Sequence, residues 1–296
     1  MKNMKQFEKS NNEMDSNDHL KNEANLSYEA IFKNHDGLIS HKLVHCFYVY
    51  DKLFSEYRQK NKAVTILEIG VDRGGSLEIW KKYFPVGSKI YGVDINPKCN
   101  KINFSENIQF HLGSASDRSF MEKTFKNVEF DIILDDGSHI CSDVIETFEM
   151  MFPKLKNGGL YVVEDMRTSY LKRFGGGIRK KGTSIEYFKN FVEALHADFL
   201  HPTNFFIRLA KHLVPRFRDK IDNIWRKYRF NNIDNYAKTI ENIAFYGDVC
   251  AIKKFSTPKN NQFKSVITGR ENIDGVNCVE NELEYIQRIK NTFGAE

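Results

Sequence analysis

From Ala63 onward the apolar positions come in short runs: AVTILEIG, KIYGVDI, NIQFHLG, FDIILDD and GLYVVED. Each run is rich in β-branched residues and closes on Gly, Asn or Asp, which is the pattern of parallel strands buried on both faces. Between them SLEIWKKYF, DRSFMEKTF and CSDVIETFEMMFPKL repeat apolar residues at i, i+3 and i+4, so each predicts a crossover helix. The alternation predicts an α/β, doubly wound, Rossmann-like sheet that is mostly parallel. A late pair, IAFY and VCAIKKF joined through Gly247 and Asp248, predicts an antiparallel hairpin closing that sheet.

The flanking segments read differently. Residues 1–26 are polar and lack apolar periodicity, predicting a disordered tail. In 27–62 the apolar residues Ile31, Val44, Phe47, Tyr48, Leu53, Phe54 and Tyr57 recur at helical spacing, predicting a helical cap before the first strand. The sheet domain then spans 63–255, with a helical insertion at about 171–240, and 256–296 form an extension with one helix. Within the insertion, 204–230 is basic and amphipathic. Its apolar stripe predicts an accessory or lid helix packed on the core; the other reading is a helix resting on an anionic membrane.

The chain has 296 residues, 41% of them hydrophobic and 28% charged, enough for a real core and inconsistent with wholesale disorder. No stretch approaches ~18 uninterrupted apolar residues, so a cytoplasmic protein is expected. A net charge of +5 spread along the chain does not point to nucleic acid. Cys46, Cys99, Cys141, Cys250 and Cys278 are widely spaced and form no CxxC pair, so reduced thiols are expected in place of zinc or disulfides.

Candidate chemistry concentrates at the carboxyl ends of the predicted strands, where open parallel sheets bind ligands. The first strand ends Glu68-Ile69-Gly70-Val71-Asp72-Arg73-Gly74-Gly75-Ser76. A dinucleotide fingerprint would need glycine at 72, where this chain has Asp72. An acidic residue with Gly70 and Gly74 at wider spacing suits a ligand with an amino-acid end, S-adenosylmethionine, whose ammonium Glu68 can meet. The second strand ends in Asp94, placed to accept from a ribose diol.

The fourth strand ends Asp135-Asp136-Gly137-Ser138-His139 and the fifth Glu164-Asp165. Side chains alternate along a strand, so Asp135 is expected to face one way, toward the nucleoside, and Asp136 the other. So many carboxylates at one edge require a compensating positive charge. A divalent hard cation on Asp136, Glu164 and Asp165 is the economical choice. His139, three residues beyond Asp136, is a candidate general base, since an imidazole takes up a proton near neutral pH.

These segments, with LEIGVDRGGSLEIWKKYFP, GVDINPKC, FDIILDDGSH, GGLYVVEDMRTSYLKRFGGG and IAFYGDVCAIKK, resemble class I S-adenosylmethionine-dependent methyltransferases of the sugar and surface-polysaccharide type. That group is related to macrolide-sugar O-methyltransferases and cephalosporin hydroxylase-like proteins. HDGLISHKLVHCFYVYDKLF looks like the family's N-terminal helix motif. The resemblance implies Mg2+ on Asp136, Glu164 and Asp165, His139 as base, and donor contacts from Glu68, Gly70, Gly74, Ser76, Asp94 and Asp135. It further implies adenine contacts from Ser114 to Asp117, with Asp117 standing in for the Asp that relatives carry where this chain has Ser114.

The expected activity is O-methylation of a sugar hydroxyl in surface polysaccharide or glycoconjugate biosynthesis, by a homo-oligomer acting on a small-molecule or glycan acceptor. Two alternatives stay open. One is O-methylation of a phenol, antibiotic nucleus or phosphate-bearing group; the other is a non-catalytic module binding a nucleotide or partner.

Overall fold

A computed structural model describes residues 26–196, 236 and 238–257. The tail up to residue 25, the basic stretch 204–230 and the helix expected after 256 lie outside the described residues. Two cap helices, α1 (Tyr28–Lys33) and α2 (Val44–Gln59), precede the sheet. Then follow β1 (Thr65–Ile69), α3 (Gly75–Tyr83), β2 (Lys89–Asp94), β3 (Ile108–Leu112), α4 (Arg118–Thr124) and β4 (Phe130–Asp135). The remainder is α5 (Cys141–Met151), β5 (Leu155–Val163), α6 (Ser184–Leu195), β6 (Ile240–Tyr246) and β7 (Val249–Lys254).

The strands form one sheet in the order β3-β2-β1-β4-β5-β7-β6. The first five are parallel; β7 runs antiparallel to β5 and β6, as the hairpin reading predicts. A two-residue turn joins β6 to β7, with Gly247 at φ 60°. The helix expected through Leu155 ends earlier, at Met151, because Pro153 lacks an N–H and cannot continue an α-helix. A short 3-10 turn over Phe152–Lys154 then leads straight into β5.

Alternation along the strands sorts the core into two layers. Leu67, Ile69, Ile133, Tyr161 and Val163 face Met121, Phe148, Phe188 and Phe191 of α4, α5 and α6. Ile66, Ile132, Leu134, Leu160 and Val162 face Tyr28, Tyr50, Phe54, Leu77 and Trp80 of the cap helices and α3. Tyr28, Tyr50, Phe54 and Trp80 are fully buried, and their rings meet at centroid separations of 4.8–5.6 Å. The cap is therefore a structural layer of the domain, and whatever its connecting segments carry is held against the strand ends.

The four described cysteines, Cys46, Cys99, Cys141 and Cys250, are buried free thiols. No helix among the described residues is long and apolar enough to cross a membrane.

Candidate active site

The loop after β1 is shaped by a close crossing. Gly70 sits at φ +90°, and a β-carbon there would overlap the carbonyl oxygen of Asp136 in the loop after β4. Asp94 binds this loop from β2: its carboxylate accepts from the N–H groups of Val71 (2.8 Å) and Asp72 (2.9 Å), and from Asn96 N–H at 2.7 Å. Gly74 and Gly75 make room for neighbouring segments of the chain. A β-carbon at 74 would crowd Leu38, Ile102 and Phe104, and one at 75 would overlap Leu38 O and Ile39. The Gly75 N–H, first in α3, donates to Ile39 O at 3.3 Å.

Two cavities flank the Gly70 loop. The first, about 350 Å³, is lined by Gly70, Asp94, Ser114, Ala115, Ser116, Asp135, Asp143 and Thr147 among others. The second, about 370 Å³, is lined by His41, Lys42, Gly70, Asp94, Asp136, His139, Glu164, Asp165 and Arg167 among others. Both sizes suit small-molecule sites. Of the donor contacts expected from sequence, Gly70, Asp94, Ser114 and Asp135 line the first cavity; Glu68, Gly74, Ser76 and Asp117 line neither. Asp117 is the N-cap of α4, its carboxylate accepting from Phe120 N–H at 3.1 Å. The polar positions on that wall are Ser114, Ser116, Asp143 and Thr147, the last two from α5.

Asp135 and Asp136 do face opposite ways. Asp135 continues the layer of Ile133; its carboxylate accepts from Tyr161 OH and Gly137 N–H, both at 3.3 Å, and burial pushes it up to about 7. Asp136 continues the layer of Ile132 and Leu134, toward the cap. So do Glu68, beyond Ile66, and Glu164, beyond Leu160 and Val162. Alternation therefore delivers three carboxylates to the cap side of the sheet.

The positive charge they require is present in the chain. Lys42, on the segment between α1 and α2, places Nζ 2.5 Å from Asp136 Oδ2, 2.8 Å from Glu164 Oε1 and 3.8 Å from Glu68 Oε1, with only 4% of its side chain exposed. Burial works against the ammonium, but Glu164, Asp136 and Glu68 outweigh it and push its pKa above the ordinary lysine value. Tyr50 OH also donates to Glu164, and Cys46 Sγ lies 3.8 Å from its other oxygen. Burial raises the Glu164 carboxyl, with Lys42 pulling the other way. Among the described residues no hydrogen bond within 3.5 Å reaches the Glu68 carboxylate, and burial, opposed by Lys42 and then by the nearby Ser76 hydroxyl, pushes it up to about 7.

The sequence reading placed Asp136, Glu164 and Asp165 around one ion. The structure brings Asp136 and Asp165 together with His139: one ligand atom from each lies within 4.8 Å of the others. Glu164 stands apart from that trio, turned to Lys42 and Tyr50. Asp165 leaves the strand alternation because its backbone is left-handed, φ 54°, as is that of His139, φ 57°. His139 Nε2 lies 3.4 Å from Asp165 Oδ2. Asp165 is steadied by Arg167 Nη1 at 2.8 Å, and Arg167 by Asp248, which also receives its N–H at 2.6 Å. Thus the β6–β7 turn fixes the loop after β5.

An open sheet in this order, with a glycine loop after β1 and a carboxylate ending β2, defines the Rossmann-like methyltransferase fold. Residues 67–166 match the model of the methyltransferase domain family. That stretch, about a third of the chain, is similar to methyltransferase domains. Mycinamicin VI 2''-O-methyltransferase from Micromonospora griseorubida is 40% identical over 157 residues, which make up 49% of this chain and 38% of that protein. A tetracenomycin rhamnosyl 2'-O-methyltransferase from Streptomyces olivaceus is 38% identical over 156 residues, 50% of this chain and 40% of that protein. Among solved structures, the MycE methyltransferase of the mycinamycin biosynthetic pathway in complex with Mg and SAH superposes with a TM-score of 0.60 at 27% identity. That match covers 78% of this chain and 55% of MycE. The chain spans about two-fifths of the length of these curated relatives and about half that of MycE.

Proposed function

We propose that the protein transfers a methyl group from S-adenosylmethionine to a sugar hydroxyl with the help of a divalent cation, in glycoconjugate or surface-polysaccharide biosynthesis. The observation that carries this reading is the Asp136–His139–Asp165 trio in a cavity that shares Gly70 and Asp94 with its neighbour. Support comes from the sugar O-methyltransferases it resembles and from the Mg and SAH in the MycE complex.

The first cavity suits the nucleoside end of the donor, with Asp94 at the ribose and the Ser114–Ser116 wall and Asp143 at the base. Glu68, a buried carboxylate at the end of β1 with no close hydrogen bond among the described residues, would meet a donor ammonium. Asp136 and Asp165 present oxygens of the kind that Mg2+ takes, and a hard cation prefers them to an imidazole. His139 is thereby left to receive the hydroxyl proton at Nε2, with Asp165 beside it to stabilise the resulting imidazolium. A bound divalent ion would supply a lowered hydroxyl pKa and a fixed acceptor oxygen. The remaining contribution of the chain is alignment of acceptor oxygen and methyl carbon.

The test is methyl-labelled S-adenosylmethionine incubated with glycosides, phenols and phosphate-bearing acceptors, with Mg2+ and with chelator. Label on a sugar hydroxyl, lost on chelation and restored by Mg2+, is expected. Labelling unaffected by chelation, or confined to phenols, would overturn the reading.

A further inference from the structure

Lys42 lies where the proposed ion chemistry needs space. Its ammonium occupies the gap between Asp136 and Glu164, at 2.5 and 2.8 Å, with Glu68 as a third acid at 3.8 Å. Magnesium binds carboxylate oxygens at about 2.0–2.1 Å. An ion held by both Asp136 and Glu164 and an ammonium in contact with both would claim the same space. Three observations show that this lysine is positioned by the fold. Its side chain is 4% exposed, so it is no solvated surface cation folded back by chance. The segment leading to it is seated on the start of α3, where Gly75 donates to Ile39 O and Glu78 accepts from Leu38 N–H at 2.8 Å. Gly75 permits that seating, since a β-carbon there would overlap Leu38 O. On the far side, α2 supplies Tyr50 to the same Glu164.

We infer that Lys42 is a tethered counter-ion of the Asp136–Glu164 pair, which a divalent cation displaces in order to recruit Glu164 as its third oxygen ligand. The inference rests on the divalent-ion reading above and deepens it. With Lys42 in place, Asp136 and Glu164 are held without repelling, and the acidic centre is kept assembled. When an ion carrying twice the charge takes the gap, the lysine moves toward the second cavity, whose wall it already forms. The lysine therefore sets the affinity for the ion. A site available only in the fraction of molecules whose lysine has left binds more weakly by that fraction, about 10- to 100-fold if the lysine is home 90–99% of the time.

The test pairs a variant with a measurement on the unaltered chain. Mg2+ is titrated by calorimetry into the full-length protein and into Lys42→Met, with about 10- to 100-fold tighter binding expected in the variant. The unaltered protein is also treated with formaldehyde and a hydride reductant, with and without saturating Mg2+, and lysine methylation is mapped by mass spectrometry. Lys42 is expected to be protected without Mg2+ and modified several-fold more with it, which also serves if the variant fails to fold. Equal affinities of the two proteins would overturn the inference while leaving the ion in place. So would a tighter variant combined with unchanged protection of Lys42, because that pattern is a through-space charge effect without displacement. Absence of Mg2+ binding by both proteins would remove the divalent-ion reading and this inference with it.

Discussion

Asp135 and Asp136 are neighbours in sequence, yet they end in two different environments. On the helix α5 side, Asp135 meets a tyrosine hydroxyl and a backbone amide, with no cation in contact among the described residues, beside a cavity lined by serines, a threonine, Asp94 and Asp143. On the cap side, Asp136 meets a buried ammonium and shares it with Glu164, with His139 and Asp165 close by. The difference follows from the alternation of side chains along a strand. One side of the sheet pairs its acid with a hydroxyl and an amide and the other with a buried ammonium, and adjacent residues divide the two settings.

The division breaks most visibly at His139. Its replacement by alanine is expected to lower turnover by about 10²–10⁴-fold, the usual contribution of a positioned base, while the calorimetric affinity for S-adenosylhomocysteine stays within about twofold. A comparable loss of affinity would show that the two sides are not separable. On the opposite side, Asp135→Asn is expected to weaken S-adenosylhomocysteine by about tenfold, or about 1.4 kcal/mol, with little change in Mg2+ affinity. Equilibrium titration of each ligand against the variant decides it.

The smallest effect concerns stability and pH. Burial holds the Glu68 carboxyl at about 7, above its ordinary 4.5. Between those values the folded chain keeps a proton that the unfolded chain has released. Glu68 therefore lowers stability progressively as pH rises through this window, and its full cost persists above 7. Glu68→Gln should accordingly gain on the unaltered protein in thermal unfolding more at pH 8 than at pH 5. An equal difference at both would show that Glu68 is not a buried proton holder.

The strands and the ligand end of the sheet were legible because their signals are local: runs such as FDIILDD combine the apolar core of a strand with the acids at its tip. Gly70 was legible for the same reason, as a glycine directly after a strand. Lys42 was not, since it meets Asp136 across 94 positions and Glu164 across 122, and nothing in HDGLISHKL marks one lysine as buried. The demand for a positive charge was visible in the cluster; its source in the cap depends on how α1 and α2 pack. The N-cap role of Asp117 has a local signal, for an Asp directly before a helical stretch is a preferred N-cap. The packing of Gly74 and Gly75 is likewise set by distant segments, since the atoms a β-carbon would meet there belong to Leu38, Ile39, Ile102 and Phe104.

The grip of Asp248 on the loop after β5 gives this domain an order of assembly. Met166 N–H donates to Asp248 O at 2.9 Å, and Arg167, 81 positions before Asp248, steadies Asp165 only from a place that the last hairpin secures. The parallel strands can pair as they leave the ribosome, but Asp165 acquires its setting after β6 and β7 have been made and docked. Nascent chains halted before that hairpin would hold the parallel strands without the contacts that place Asp165, so this corner of the sheet is among the last to be set in synthesis.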